Sequence, residues 1–453
     1  MPASATVSAE ALLAPRVEQR ILPGLDRMRR ALDGLDHPER AFASLLVVGT
    51  NGKGSTAALL AGMLLAHGRR VGLYTSPHLL RVEERIRVDG VEVTGRRLAE
   101  LVRELNAFPD LSYFETLTCA AFLEFAARRV EVAVLEGGLG GRWDAVNAVE
   151  PELALLTNVG TDHQAWLGPT RAAIAAEKAA ALRGREGIVG AWDAEVEPAI
   201  RANAAAGTPL SLASQWAEVI GDRDREDGAR GQGSGVSDVA CPKVDPIGPV
   251  VSGDGPWASG YGSQVVHFRL GEVQGEAELP LAGEHQIANL TLALAGAAAL
   301  ARHGVAGRLD ADALRRGIAG VRWPGRLEWV AAGGRELLLD GAHNLEAVAA
   351  LAAALDRLGL AGRVHLLFSC LADKPLDAMA ALLRPRAAGV TVAPIDSPRA
   401  TPVETLAAKF PGCAAAPSVT AALATLPVDR PTLVAGSLRL VGEVKAILGG
   451  GDG

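Results

Sequence analysis

Ten residues, Val47-Val48-Gly49-Thr50-Asn51-Gly52-Lys53-Gly54-Ser55-Thr56, restrict the architecture more than any other stretch of the chain. Leu45 to Val48 form a short apolar run that reads as a buried strand. Behind the glycines, Ala57, Leu60, Met63 and Leu64 recur at helical spacing. A glycine-rich turn therefore leads from a strand into a helix N-terminus. Glycines let the backbone approach a phosphate closely and take up positive φ. The free N–H groups and dipole of a helix start favour anionic oxygens. Lys53 adds a full positive charge, and Ser55 or Thr56 offers a hydroxyl to a metal. The stretch reads as a phosphate cradle. It departs from the strict G-x-x-x-x-G-K-[ST] pattern, because the first glycine stands four residues before the lysine and Gly54 separates Lys53 from Ser55. A plain turn with a surface lysine is the competing reading. It leaves the coincidence of strand, glycines, lysine, hydroxyls and helix unexplained.

A chain of 453 residues is too long for one core, so two or more domains are expected. Hydrophobic residues at 49% and charged residues at 21% place it among globular rather than disordered chains. The net charge of −7 gives no reason to expect nucleic acid or an anionic membrane as partner. Any anionic substrate must be met by local positive charge and metal. Cys119, Cys241, Cys370 and Cys413 are scattered without a C-x-x-C pair, which fits free thiols in a reducing cytosol. Glu10 and Arg16 interrupt the N-terminal apolar stretch, against a signal peptide. Ile287 to Ala301 is alanine-rich and too short to span a bilayer. A cytoplasmic location is the expectation.

Strand signals at Leu45–Val48, Val71–Tyr74, Val132–Leu135, Leu153–Thr157 and Ile188–Val189 alternate with helical ones. That alternation predicts an α/β fold with a parallel sheet, whose ligands sit beyond the carboxyl ends of the strands. Thr75-Ser76-Pro77-His78-Leu79 with Arg81 to Arg85 admits two readings, a metal or phosphate loop and an ordinary connection. Glu136 directly follows an apolar strand and precedes Gly137-Gly138-Leu139-Gly140-Gly141, which suits a Mg²⁺ ligand facing the cradle. His163 follows the fourth strand, and a lone loop histidine is usually a hydrogen-bonding residue. Lys178 lies on an alanine-rich helix from Ala172 to Leu182, where a lysine is normally solvated. Residues 221–262 are charged, then rich in glycine, proline and serine, and read as a flexible insertion. Val265–Leu270 and Ala277–Leu281 read as a hairpin. A second, smaller Rossmann-like α/β unit is predicted from strands at Glu336–Asp340, Val364–Ser369, Val390–Ala393 and Thr432–Ala435. The expected division is 1–320 and 321–453. Polar clusters end two of its strands, Asp340 to Asn344 and Ser369 to Pro375.

Taken in order, GTNGKGST (49–56), YTSPHLLRVEER (74–85), YFETLT (113–118), EGGLGGRWDAVN (136–147), DHQAWLG (162–168), EKA (177–179), PGRLE (324–328) and LDGAHN (339–344) resemble one family. It is that of the folylpolyglutamate synthases and bifunctional dihydrofolate synthases of the Mur ligase superfamily. Each stretch alone is weak, whereas the ordered set covers most of the chain. The resemblance implies a P-loop ATPase domain followed by a smaller ligase domain, and ATP-dependent addition of L-glutamate to dihydropteroate or a tetrahydrofolate. It implies that Gly52, Lys53, Gly54 and Ser55 hold the ATP phosphates. Ser76, Glu136 and His163 would bind Mg²⁺, with two metal sites. Lys178 would be carbamylated and support the second Mg²⁺, and a monovalent cation would accompany them. Asn289, Arg326 and Asp340 match nucleotide-binding positions. His343 lies in a stretch associated with catalysis or glutamate binding. Ser112, Tyr113, Phe114 and Glu115, with Arg142, Trp143 and Asp144, match the pterin-binding loops. The implied state is a monomer.

Three positions depart from the family pattern: Leu345 replaces a proline, Ala180 a glycine and Gly137 a common valine. None removes a functional side chain, and the insertion has no family counterpart. Two other functions remain in view. A switch or motor NTPase would account for the cradle and not for a second α/β unit with its own polar strand ends. A Mur-type ligase acting on a cell-wall precursor would not be expected to show the SPHL or YFE stretches.

Overall fold

The computed structural model describes residues 8–16, 23–221 and 262–449. Apart from its two end residues, the predicted insertion lies outside the described residues, as does Cys241. Cys119, Cys370 and Cys413 are free thiols. No helix among the described residues is long and apolar enough to cross a membrane.

The first sheet comprises β1 (Ala43–Val48), β2 (Val71–Tyr74), β3 (Ile86–Val88), β4 (Val91–Glu92), β5 (Val132–Glu136), β6 (Leu153–Leu156), β7 (Gly187–Val189) and β8 (Leu210–Leu212). Their spatial order is β4-β3-β2-β5-β1-β6-β7-β8. The run from β2 to β8 is parallel, and β3 and β4 add an antiparallel edge. Strand periodicity divides β1 between two cores. Leu46 and Val48 pack with Tyr74, Leu117 and Phe122 on one face. Leu45 and Val47 pack with Leu60, Met63 and Leu294 on the other. Both faces are therefore covered, which is why these strands read as continuous apolar runs.

The predicted hairpin is present as β10 (Gln264–Leu270) and β11 (Val273–Leu279). A further strand not predicted from the sequence, β9 (Glu218–Gly221), pairs with β10 to make a three-stranded sheet. The final sheet is built from β12 (Glu328–Ala332), β13 (Arg335–Leu339), β14 (Val364–Phe368), β15 (Ala387–Val392), β16 (Ala414–Ala415) and β17 (Thr432–Ala435). Its order is β12-β13-β17-β14-β15-β16, with β12 antiparallel to β13 and the others parallel. Leu338 faces one core of this sheet and Leu337 and Leu339 face the other.

Topology then delivers the polar residues. β2, β5, β1 and β6 are consecutive neighbours, and their carboxyl ends lead into Thr75-Ser76, Glu136, Gly49 and Thr157. Four segments far apart in sequence thereby converge on one edge. Gly49 is fixed there by close packing. Its φ is +146°, and a Cβ at this position would lie 1.8 Å from Thr157 Oγ1. Gly49→Ala should therefore cost about 3 kcal/mol in backbone strain and overpacking. A thermal melt should fall by roughly 3–5 °C, and an unchanged melt would contradict this packing.

Candidate active site

The Lys53–Ala66 helix starts at Gly52, whose φ is +83°. Its first turn carries Lys53, whose ammonium donates to Thr50 O at 3.1 Å. The loop before it is tied to the segment after β6. Thr157 Oγ1 donates to Asn51 O at 2.7 Å, and Asn51 N donates to Asn158 Oδ1 at 3.0 Å. Asn289, on the Glu284–Arg302 helix, lies against the same loop. A Cβ on Gly52 would stand 2.1 Å from Asn289 Oδ1. Ser55 is buried behind Lys53.

Glu136, the last residue of β5, is buried, and one carboxylate oxygen accepts the Ser76 N–H at 2.9 Å. Burial pushes this carboxyl above its usual range, against the pull of Lys53, the Ser76 N–H, Arg326 and Arg85. A cation beside it would relieve that cost. Lys178 is 3% exposed, and its amine donates to Gly49 O at 2.7 Å. Burial, then the neighbouring Lys53 charge, lowers its pKa to about 7. His163 begins the short Gln164–Leu167 helix with φ +62°. Partial desolvation lowers its pKa, against Asp162 and with the positive charges of Lys374, Lys53 and Lys178, while 44% of the side chain stays exposed. A shift in this direction favours the neutral imidazole, the form that ligates a metal.

Among the described residues, no three His, Cys, Asp or Glu side chains gather into a metal site. Candidate donors beside the cradle are the buried Glu136 carboxylate, Ser76, whose backbone N–H meets that carboxylate, and the His163 imidazole. That sparse, largely oxygen donor set fits Mg²⁺, which keeps water and takes further ligands from nucleotide phosphates. It does not fit a closed protein cage.

The final sheet reaches the same edge. Asn344 Nδ2 donates to Asn51 Oδ1 at 2.9 Å and to Asp162 Oδ2 at 3.1 Å. Lys374 donates to Asp162 Oδ1 at 2.8 Å, with both side chains largely buried. Glu346 accepts from Thr161 N at 2.8 Å and from its hydroxyl at 2.7 Å. Burial works against the Asp162 charge, yet His163, Lys374 and His343 together hold its carboxyl well below the usual range. His343 Nδ1 meets Gly341 O at 2.8 Å, so Nδ1 carries the proton and Nε2 is left as an acceptor, 3.8 Å from Asp162 Oδ2. Burial, then Lys374, lowers the His343 pKa. Both Asp340 oxygens accept backbone N–H groups, from Leu327 at 3.0 Å and Ala342 at 2.9 Å. Asp340 thereby ties the segment carrying Arg326 to the end of β13. Arg326 in turn donates to Gly325 O at 2.8 Å.

The residues matched to the pterin loops divide. Phe114 lies 2.9 Å from where a Gly138 Cβ would be, and its ring is 5.7 Å from that of Tyr74. Tyr113 lies beneath the Arg85 guanidinium at 5.3 Å. Asp144 is buried and accepts from Leu139 N at 2.7 Å and Val146 N at 3.1 Å, shaping the glycine loop. Burial pushes its pKa up to about 6 against those hydrogen bonds. Trp143 is half-exposed. Ser112 and Glu115 are occupied elsewhere. They form the capping box of the Tyr113–Ala127 helix, and Glu115 pairs with Arg27 at 2.9 Å. Arg142 points to Glu177 and Asn203. The sequence reading missed Lys374, Asp162 and the Asn51–Asn344 pair. The polar ends of the strands were visible, whereas their pairing across about 200 residues or more left no local signal.

Residues 47–186 match the Mur ligase middle domain and residues 325–448 the Mur ligase glutamate ligase domain. The chain is 35% identical over 416 residues to the dihydrofolate synthase/folylpolyglutamate synthase of Mycobacterium tuberculosis, covering 86% of this chain and 78% of that protein. It is 34% identical over 451 residues to a probable bifunctional folylpolyglutamate synthase/dihydropteroate synthase of Haloferax volcanii. That match covers 94% of this chain and 48% of the relative, so the chain spans about half of that longer protein. Among solved structures, a Yersinia pestis folylpolyglutamate synthase/dihydrofolate synthase with AMPPNP and Mn ion superposes with TM-score 0.76 at 28% identity, covering 99% of this chain and 100% of the other. Escherichia coli FolC with DHPP and ADP gives 0.75 at 27%, covering 97% and 96%. Two Mur ligase segments in order, a phosphate cradle facing a buried glutamate, and identity above 30% over most of the chain place it in the folylpolyglutamate synthase/dihydrofolate synthase family of ligases.

Proposed function

We propose that the chain adds L-glutamate to the carboxylate of dihydropteroate or a tetrahydrofolate, with residues 1–320 binding ATP and residues 321–453 closing over it. The observation that carries this is the meeting of Lys53, Glu136 and Lys178 at one strand edge, closed by Asn344 and Lys374 from the other sheet. A nucleotide switch needs the first part only. The Yersinia pestis and Escherichia coli structures hold a nucleotide, Mn or DHPP, which supports ATP, a divalent cation and a pterin-type acceptor here.

A carboxylate is a poor acyl donor because oxide is a poor leaving group. An acceptor carboxylate oxygen attacks the γ-phosphorus of ATP, the bond to ADP breaks, and an acyl phosphate forms. Two anions meet in that step, so Lys53 and the N-termini of the following helix must offset their repulsion. Bound Mg²⁺, held by Glu136, Ser76 and His163, would supply further charge neutralisation. Lys178, carbamylated, would hold a second Mg²⁺. The α-amine of glutamate then attacks the acyl carbon, and the tetrahedral intermediate expels phosphate to leave an amide. His343 Nε2 is free to take the proton the amine releases. The contacts of Asn344, Glu346 and Lys374 close the site against water, which would hydrolyse the acyl phosphate.

Incubation with ATP, Mg²⁺, L-glutamate and either dihydropteroate or tetrahydrofolate, followed by mass spectrometry, tests the reading. A glutamyl adduct is expected, and ATP hydrolysis without adduct contradicts it. Glu136→Gln removes a charge at constant shape, and His163→Ala removes a nitrogen ligand. Each should raise the Mg²⁺ concentration for half-maximal rate by about tenfold or more. A Mg²⁺ titration matching the parent would remove that residue from the metal site.

A further inference from the structure

We propose that Arg142 is a positioning residue that fixes Lys178 beside the phosphate cradle. The proposal rests on the role given to Lys178 above. The side chain lies against the Arg171–Ala179 and Glu197–Asn203 helices. Its Nε donates to Glu177 Oε1 at 3.0 Å and its Nη2 to Asn203 Oδ1 at 3.1 Å. Asn203 is oriented in turn, donating from Nδ2 to Ala199 O at 2.9 Å. The Arg142 backbone N–H also donates to Glu177 O at 3.0 Å. One residue thus holds both the side chain and the carbonyl of the residue before Lys178.

The preceding glycine makes this contact possible. A Cβ on Gly141 would lie 2.6 Å from Lys178 O and 2.9 Å from Glu177 O, so backbone rests on backbone. From there the Lys178 amine reaches Gly49 O at 2.7 Å. Glu136 stands beside Val47 in the register of β1 and β5. The path Glu136, Gly141-Arg142, Glu177-Lys178, Gly49, Val47 therefore closes on itself. Glu136 stands at one end of the glycine loop, and Arg142, at the other end, clasps the helix end that carries Lys178.

The magnitudes separate this role from a structural one. The Arg142–Glu177 side chains are about one-third exposed, so the ion pair adds little to stability. Misplacing a group at the reacting centre by about 1 Å costs on the order of 100-fold in rate. A positioning role therefore predicts a large loss of rate with little loss of stability.

The test compares Arg142→Ala, Arg142→Lys, Glu177→Gln and the Arg142→Ala/Glu177→Gln pair in the full chain. It reads kcat, KM for the acceptor, the thermal melt, and the ¹³C carbamate signal of Lys178 after incubation with ¹³C-bicarbonate. Arg142→Ala should lower kcat about 10- to 100-fold, leave acceptor KM and the melt nearly unchanged, and weaken the carbamate signal. Arg142→Lys should restore part of the rate. Glu177→Gln should act in the same direction, and the double variant should be no worse than Arg142→Ala alone. A raised acceptor KM at unchanged kcat would make Arg142 a substrate contact and overturn the proposal. Additive losses in the double variant would overturn it as well. If the parent itself shows no carbamate signal, the carbamylation of Lys178 fails, and the kcat–KM split and the double variant still decide the role of Arg142.

Discussion

Lys178→Ala is expected to be nearly inactive and to regain part of its rate with added formate or acetate. An exposed helix lysine has a pKa near 10.4, stays protonated and does not react with CO₂. Lys178 differs because burial and the Lys53 charge bring it to about 7, so the amine is deprotonated much of the time. Its Nζ lies against the carbonyl of Gly49, at the start of the cradle. A carbamate here would place negative charge next to the phosphates and would have to be offset by a cation, the role proposed above for Mg²⁺. Truncation removes the carbamate and leaves space that a small carboxylate fills. Lys178→Arg should not be rescued, since the guanidinium stays charged and occupies the space. Parental rates for Lys178→Ala in bicarbonate-free buffer would show that this lysine serves packing alone.

Lys53→Ala should lower the rate of ligation by about two to three orders of magnitude, the scale of losing one preorganised charge at a phosphoryl-transfer centre. The fold should survive. The Lys53 ammonium makes a single hydrogen bond, to Thr50 O, and the loop around it is held by Thr157 and Asn158 instead. Circular dichroism and the thermal melt should match the parent while product formation is lost. Near-normal turnover in the folded variant would remove Lys53 from the phosphate site.

The buried parallel strands were legible because both of their faces are covered. Val71–Tyr74 and Thr432–Ala435 have the predicted bounds, and Glu136 moves from just after its strand to its last position. Short strands outside the core were not legible, as at half-buried Leu210–Leu212 and exposed Ala414–Ala415, where few side chains alternate. The departure at Gly54 has a spatial cause. A Cβ there would lie 2.7 Å from the Trp323 indole, contributed from 269 residues further on. Burial of Lys178 was equally hidden, since an alanine-rich helix leaves no apolar stripe to mark its inner face. Resemblance alone singled it out. The opposite holds for Ser112 and Glu115. Ser-x-x-Glu ahead of an apolar helix is a capping signature in its own right, and the structure gives both side chains that local task. Arg142 stands in the same quoted stretch as Asp144, yet its side chain serves the Glu177–Lys178 helix end, which no linear motif expresses.

The central claim is that this site activates a carboxylate by phosphorylation before glutamate attacks. The most direct measurement labels both carboxylate oxygens of the acceptor with ¹⁸O, runs one turnover with ATP, Mg²⁺ and L-glutamate, and weighs the phosphate released. One ¹⁸O atom per phosphate is predicted, because the attacking carboxylate oxygen leaves with the phosphoryl group. Unlabelled phosphate formed alongside the glutamyl amide, with the second ¹⁸O recovered in AMP or water instead, would contradict the account.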